Sequence, residues 1–233
     1  MTYQIVESSP SCAIVLAGCG AKDGAEITES VSLLINLSIH NFKTQIFAPN
    51  RDFFHVVNHL TEKEETSQSR NMLVEAARIA RGQIHPLSEL NSKNFDCLLF
   101  AGGFGVAKNF CNFAFKGAEA ELSSDIKKSL NEFISANKVI GAICIAPVLI
   151  ALIAKDLGLK NVNITLGSKD SDAANIVTSW GITHIQKSVN EACIDKTHKF
   201  VTAPAYMYDK ATPADIFASA AALVKGMQSF FKE

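Results

Sequence analysis

Short apolar runs bounded by glycine and proline alternate along this chain with longer segments in which apolar residues recur every three or four positions. The runs at 12–17, 43–48, 97–101 and 139–143 predict buried strands, and 84–87 a weaker one broken by Pro86. Helical spacing predicts helices over 25–40, 71–81, 118–137, 147–157, 172–180 and 213 to about 230. In the first, Ile27, Val31, Leu34, Ile35 and Ile39 form the stripe expected to face the core; in the third, Leu122, Ile126, Leu130, Phe133 and Ile134 do so. A short strand is expected at 163–166, and 182–189, 192–195 and 199–203 read as three β segments, with a hairpin turn over 195–198. Residues 50–69 are polar and irregular apart from FFHVV, an excursion longer than a passive connector needs and of the kind used for lids, binding elements or interfaces. Strands alternating with helices imply an α/β domain over 1–233, a mostly parallel sheet with helices on both faces. Sites in such sheets lie at the carboxyl ends of the strands.

Three places at that edge carry candidate chemistry. The run 139–143 ends at Cys144 and Pro147 opens the next helix, so the cysteine falls on a strand-to-helix turn, a nucleophile position. Gly141, Ala142 and Ala146 leave room for a tight turn, and Pro147 at the first helical position loses no hydrogen bond. A helix N-terminus favours thiolate, so the thiol is expected to titrate below its free value of about 8.5; the competing reading is a buried, inert small residue. Gly102 and Gly103, after 97–101, free an N–H that with the N–H of Ile145 would form an oxyanion hole, or else they make an ordinary glycine turn. After the first strand, Glu26 and Glu29 are the carboxylates able to reach the same edge, or else acids that complement a helix dipole. The GCGAKDG loop before them places its third glycine one residue late for a dinucleotide fingerprint. The following strand ends in Pro49 with no acidic residue, so no nucleotide cofactor is expected.

Composition narrows the partners. The chain is 48% hydrophobic with a net charge of −1 and mixed signs throughout, which speaks against nucleic acid and against a membrane surface and leaves small molecules or protein. No apolar run approaches the roughly 18 to 20 residues that span a bilayer. Six cysteines without CxxC spacing, several in core strands, fit a reducing compartment. MTYQIVESSP has no positively charged n-region, so a cytoplasmic protein is expected. The six histidines lie away from these motifs, and no metal site is expected.

The stretches GAEITESV, LLFAGGFGVAKNF and VIGAICIAP resemble the class I glutamine amidotransferase-like superfamily, in its branch of deglycases, glyoxalases and PfpI-type proteins. AGCGAKDGAEITES, SRNMLVEAARIARG, FAGGFGVAKNFCNFA and VTAPAYM are similar to the isoprenoid biosynthesis glyoxalase ElbB family, from the first strand to the last. The resemblance implies a flavodoxin-like fold with a nucleophile-elbow cysteine, and a homodimer. It implies Cys144 as nucleophile, Glu29 as its acid, and Gly103 and Ile145, beside Gly102, as donors to an oxyanion. The chain departs from the amidotransferases where their histidine follows the late strand, with Ala203-Pro204-Ala205-Tyr206 here, and from PfpI-type proteases in having Ile145 directly after the cysteine. Amide hydrolysis needs a base for the nucleophile and an acid for the leaving amine; adding a thiolate to an aldehyde needs neither. The expected activity is therefore a cofactor-free glyoxalase turning glyoxal-type 2-oxoaldehydes into 2-hydroxy acids, with deglycation of early adducts by the same atoms. The alternative is a redox-responsive cysteine switch or a partner-binding site.

Overall fold

In a computed structural model that describes residues 9–231, the chain runs β1 (Ser11–Val15), α1 (Ile27–Ile39), β2 (Lys43–Ala48), β3 (Val57–Asn58), β4 (Lys63–Glu64), α2 (Met72–Ile79), β5 (His85–Pro86), β6 (Cys97–Phe100), α3 (Phe113–Lys116), α4 (Ser124–Ser135), β7 (Val139–Ile143), α5 (Pro147–Leu157), β8 (Asn163–Ile164), α6 (Asp172–Ser179), β9 (Thr183–His184), β10 (Cys193–Asp195), β11 (Phe200–Ala203) and α7 (Pro213–Gln228). The leader-free reading of the first ten residues rests largely on 1–8, which lie outside the described residues.

The apolar runs condense into one seven-stranded sheet of order β10-β11-β7-β6-β1-β2-β5, parallel throughout except for the β10–β11 hairpin. β1, β6 and β7 are nearly all apolar because both faces of the sheet are covered. One face packs on Ile126, Leu130 and Phe133 of α4 and the wholly buried first two turns of α5; the other packs on Leu33 and Leu37 of α1 and Ile216, Leu223 and Val224 of α7. This is the flavodoxin-like arrangement, and the carboxyl ends of β1, β6, β7 and β11 meet at one edge.

The core face of α1 is not the one the spacing predicted. Ile27, Val31, Ile35 and Ile39 are each more than 40% exposed, and Leu34 is only partly buried. The buried face instead carries Glu29, Ser30, Leu33, Asn36 and Leu37. Burial of Ser30 and Asn36 is tolerated because the helix satisfies them itself: the Ser30 hydroxyl donates to the Glu26 carbonyl at 2.6 Å and the Asn36 amide to the Ser32 carbonyl at 2.9 Å. Leu33→Ala is accordingly expected to cost about 2–5 kcal/mol, and Ile35→Gln to stay within about 0.5 kcal/mol of wild type; urea unfolding of the two variants distinguishes this face from the predicted one.

Other boundaries shift for local reasons. The helix expected over 118–137 begins only at Ser124, because the backbone turns at Gly117, with φ of 50°, after the short α3. Of 182–189, only Thr183 and His184 pair, with β8 in a separate two-stranded ladder. The excursion is a brace. Its β3–β4 hairpin lies on the loop after β1, where the Phe53 ring packs on Gly18, the Val57 N–H donates to Asp23 Oδ2 at 2.7 Å and the Lys22 N–H donates to His59 Nε2 at 3.1 Å.

Candidate active site

At the end of β7 the chain turns into α5 through Cys144, whose φ of 63° is left-handed and strained for a residue with a side chain. The turn is held by the Cys144 N–H donating to the Ala203 carbonyl at 2.9 Å and the Ala146 N–H donating to the Ile143 carbonyl at 3.0 Å. No side chain caps α5, which opens on Pro147. The thiol lies against the backbone N–H groups of Gly103 and Ile145, both of which favour its charged form.

Glu29 sits in the first turn of α1 and is fully buried. Its own N–H donates to Glu26 Oε2 at 2.6 Å, and the Glu26 N–H donates to the Gly102 carbonyl at 3.0 Å, so the start of α1 is fastened to the loop after β6. Glu29 Oε1 accepts the Tyr206 N–H at 3.3 Å. That donor is aimed by Ala205, held at φ of 41° with its N–H donating to Ser219 Oγ at 3.1 Å. Glu29 Oε2 accepts no hydrogen bond and faces Gly102 and the Cys144 thiol. A protonated Oε2 explains this, since an O–H donates to sulfur rather than accepting.

The electrostatics agree. Burial pushes the Glu29 carboxyl up to about 8, Glu26 adds to the shift, and the Cys144 thiol and the N–H groups of Tyr206 and Gly102 beside the carboxyl oppose it. For Cys144 the expected depression does not hold: burial pushes the thiol well above its ordinary range, the Glu29 charge adds to this, and the two backbone N–H groups pull back. A half-charge at a helix end is worth about 1 kcal/mol, less than the several units by which full burial displaces an ionisable group. The direction we assign is one shared proton, held on Glu29 whenever the sulfur is charged, because two adjacent buried anions are the costliest arrangement.

Cys144 opens into a cavity of about 570 Å³ that also exposes Gly103 and Ile145, is walled by Phe104, Tyr206 and Met207, and carries Glu26 and Asp209. The five residues singled out from sequence, Cys144, Glu29, Gly102, Gly103 and Ile145, thus come together. The Tyr206 N–H, the Ala205 turn and Asp209 were not foreseen; a backbone donor aimed by a left-handed alanine leaves no mark in residue type. No histidine lines the cavity; His184 accepts the Leu166 N–H at 3.0 Å and His198 pairs with Asp195 at 3.1 Å. Among the described residues no group of three or more His, Cys, Asp or Glu is placed to hold a metal ion. The other loop cysteines are less available than their positions suggest: Cys111 is buried, with burial pushing its thiol up to about 12, and Cys19 is half-buried with its thiol raised, first by burial.

An elbow thiol on a mostly parallel sheet, with backbone donors from the loop after the neighbouring strand, sits on a class I glutamine amidotransferase-like fold of the DJ-1/PfpI kind. The isoprenoid biosynthesis protein with amidotransferase-like domain from Ehrlichia chaffeensis superposes with a TM-score of 0.88 at 31% identity, over 96% of this chain and all of that one. The chain is 40% identical over 207 residues to the human glutamine amidotransferase-like class 1 domain-containing protein 3, mitochondrial, covering 85% of this chain and 75% of the relative. It is 40% identical over 203 residues to the mitochondrial ES1 protein homolog of Rattus norvegicus, covering 84% and 74%. It belongs to this family of ES1 and glutamine amidotransferase-like class 1 domain-containing proteins. No family model matches the chain. Glyoxalase III of Candida albicans shares the fold with a TM-score of 0.59 at 13% identity, over 93% of this chain and 97% of that one. The cytoplasmic location expected from sequence is corrected: the curated relatives are named mitochondrial proteins, which points to mitochondria instead. Unpaired thiols report a reducing compartment and carry no address.

Proposed function

We propose that this protein is a glyoxalase of the isoprenoid-biosynthesis kind, acting on 2-oxoaldehydes through a cysteine hemithioacetal. The observation that carries the reading is the buried Glu29 carboxyl facing the Cys144 sulfur, beside two N–H groups and with no histidine in the cavity. Thiolate Cys144 adds to the aldehyde carbon, and the oxygen that becomes an alkoxide is held by the N–H groups of Gly103 and Ile145 and takes the Glu29 proton. The Glu29 carboxylate then removes the hydrogen from that carbon and delivers it to the oxygen of the neighbouring carbonyl, giving an enediol, and next carries the proton of the first hydroxyl to the neighbouring carbon. The first carbon is oxidised to a thioester as the second is reduced to a carbinol. Water cleaves the thioester, releasing the 2-hydroxy acid and the thiol, so that glyoxal and water become glycolic acid without an external oxidant. The shared fold of a named glyoxalase supports the class of reaction.

A switch or sensor reading asks for an exposed, readily ionised thiol. Cys144 is 8% exposed with its thiol raised, which weighs against it. The test is conversion of glyoxal by purified protein, followed as glycolate: wild type is expected to turn over and Cys144→Ser to be inactive. Equal conversion by both would reject the reading.

A further inference from the structure

The cavity at Cys144 is far larger than the molecule that reading starts from. Glyoxal has four heavy atoms and fills on the order of two water volumes of roughly 30 Å³ each, against about 570 Å³ here. That size belongs to the range of pockets for drug-sized ligands. The walls are apolar: Phe104, Ile145, Tyr206 and Met207 present rings, a branched chain and a thioether. The charge in it has one sign. Besides the thiol and the Tyr206 phenol, Glu26 and Asp209 are the only ionisable residues lining it among the described residues, with no lysine, arginine or histidine among them. Of the cations nearby, Lys108 donates to the Lys22 carbonyl at 2.9 Å with its ammonium 5.7 Å from the Phe104 ring centre, Lys22 pairs with Glu62 at 3.0 Å, and Lys210, next to Asp209 in the chain, is exposed and does not line the cavity.

Resting on the glyoxalase reading, we infer that the natural substrate is an aldehyde with a bulky apolar body and a neutral or cationic end, and that Glu26 and Asp209 turn anionic aldehydes away. Apolar walls reward a body that glyoxal lacks. Two carboxylates lining one apolar-walled cleft raise the local concentration of cations and lower that of anions. The same field acts on the product. The reaction turns an uncharged carbonyl into a carboxylate, so the acids that admit the substrate expel what it becomes. Glu26 also touches the catalytic acid, since it holds the Glu29 N–H, whereas Asp209 is exposed and makes no such contact, which makes Asp209 the residue to vary.

The test has two readouts. The first needs no turnover: rates of Cys144 modification by methanethiosulfonates carrying a trimethylammonium-ethyl or a sulfonatoethyl group, each relative to its rate with 2-mercaptoethanol. The sulfur forms a disulfide and methanesulfinate leaves, and because both probes meet the same thiol, its intrinsic reactivity cancels in the ratio. The expected cation-to-anion preference is roughly tenfold at low salt and shrinks in high salt. Asp209→Lys should abolish it, while the same charge reversal at Glu89, next to the far edge strand β5, should leave it in place. The second readout is kcat/KM for phenylglyoxals bearing a para-trimethylammonium or a para-carboxylate group, with the former expected to exceed both the latter and glyoxal. A probe ratio equal to that of 2-mercaptoethanol, or one that Glu89→Lys moves as far as Asp209→Lys, overturns the inference. Turnover that ignores substrate charge also overturns it while leaving the glyoxalase reading standing. A charge preference at Cys144 without turnover of any 2-oxoaldehyde upholds the selectivity and rejects the reaction.

Discussion

Replacing Glu29 by glutamine is expected to lower glyoxal turnover by roughly 10²- to 10⁴-fold, the range for loss of a positioned proton carrier. The fold should survive, because the amide keeps the volume, accepts the Tyr206 N–H through its oxygen and turns its NH₂ toward sulfur. The same variant has a signature in stability. Burial first, and Glu26 second, raise the Glu29 carboxyl from 4.5 to about 8, so between those values the folded chain holds a proton that the unfolded chain has released. The stability this acid supplies is complete below its ordinary range and is lost as pH rises through the folded value, at about 1.4 kcal/mol per pH unit. Glu29→Gln carries no such proton. The wild type should therefore lose ground to the variant steadily across that window in denaturant titrations. A difference that stays flat would mean an ionised carboxyl in the folded state and would remove the proton carrier from the reaction.

Gly103→Ala is expected to destabilise the protein by about 3–5 kcal/mol, among the larger effects of a single methyl group. Two causes combine. Gly103 has a φ of 100°, which a side chain rarely adopts, and an added Cβ would overlap the Gly24 carbonyl oxygen and stand 2.5 Å from the Glu26 nitrogen. Both neighbours are backbone, fixed by the bond from the Gly105 N–H to the Gly24 carbonyl at 2.9 Å and by that from the Glu26 N–H to the Gly102 carbonyl, so neither gives way cheaply. Gly82 separates the causes. It has a φ of 81° with no atom near its missing Cβ, and Gly82→Ala should cost only about 1–2 kcal/mol, the conformational part alone. Equal midpoint shifts in urea for the two variants would show that the overlap at Gly103 is relieved by movement.

What the chain discloses unaided is uneven in an instructive way. β7 and α5 have the predicted boundaries, Val139–Ile143 and Pro147–Leu157, because a fully apolar run, a cysteine and a proline leave a single register. The meeting of Cys144, Glu29 and the Gly102–Gly103 loop follows from parallel topology, which brings the carboxyl ends of β1, β6 and β7 to one edge. α1 misleads because it carries two apolar stripes. Ile27, Val31, Ile35 and Ile39 are the longer one, yet Leu33 and Leu37 are buried, beside Ser30 and Asn36, which bond within their own helix. Periodicity counts apolar positions and does not see which polar ones are already satisfied. The ionisation of Cys144 was legible only in part: the helix N-terminus can be read from Pro147, whereas the depth of burial depends on segments distant in the chain. The Tyr206 N–H on Glu29 lies beyond residue type altogether.

The bare backbone where the 24–26 segment meets the 102–105 segment bears on how such a protein can diversify. Gly103 lies against Gly24 and Glu26, and a Cβ on Gly105 would stand 2.6 Å from the Gly24 Cα, so the two loops fit as a matched pair although far apart in the chain. A chimera that took its first ninety residues or so from one relative and the remainder from another would assemble the proton-sharing pair only where both parents keep this seam free of side chains. Met207 and Asp209 lie off the seam and are free to be exchanged between parents. Scaffold and substrate range are thus inherited on separate residues, and recombination can reshuffle the second without rebuilding the first.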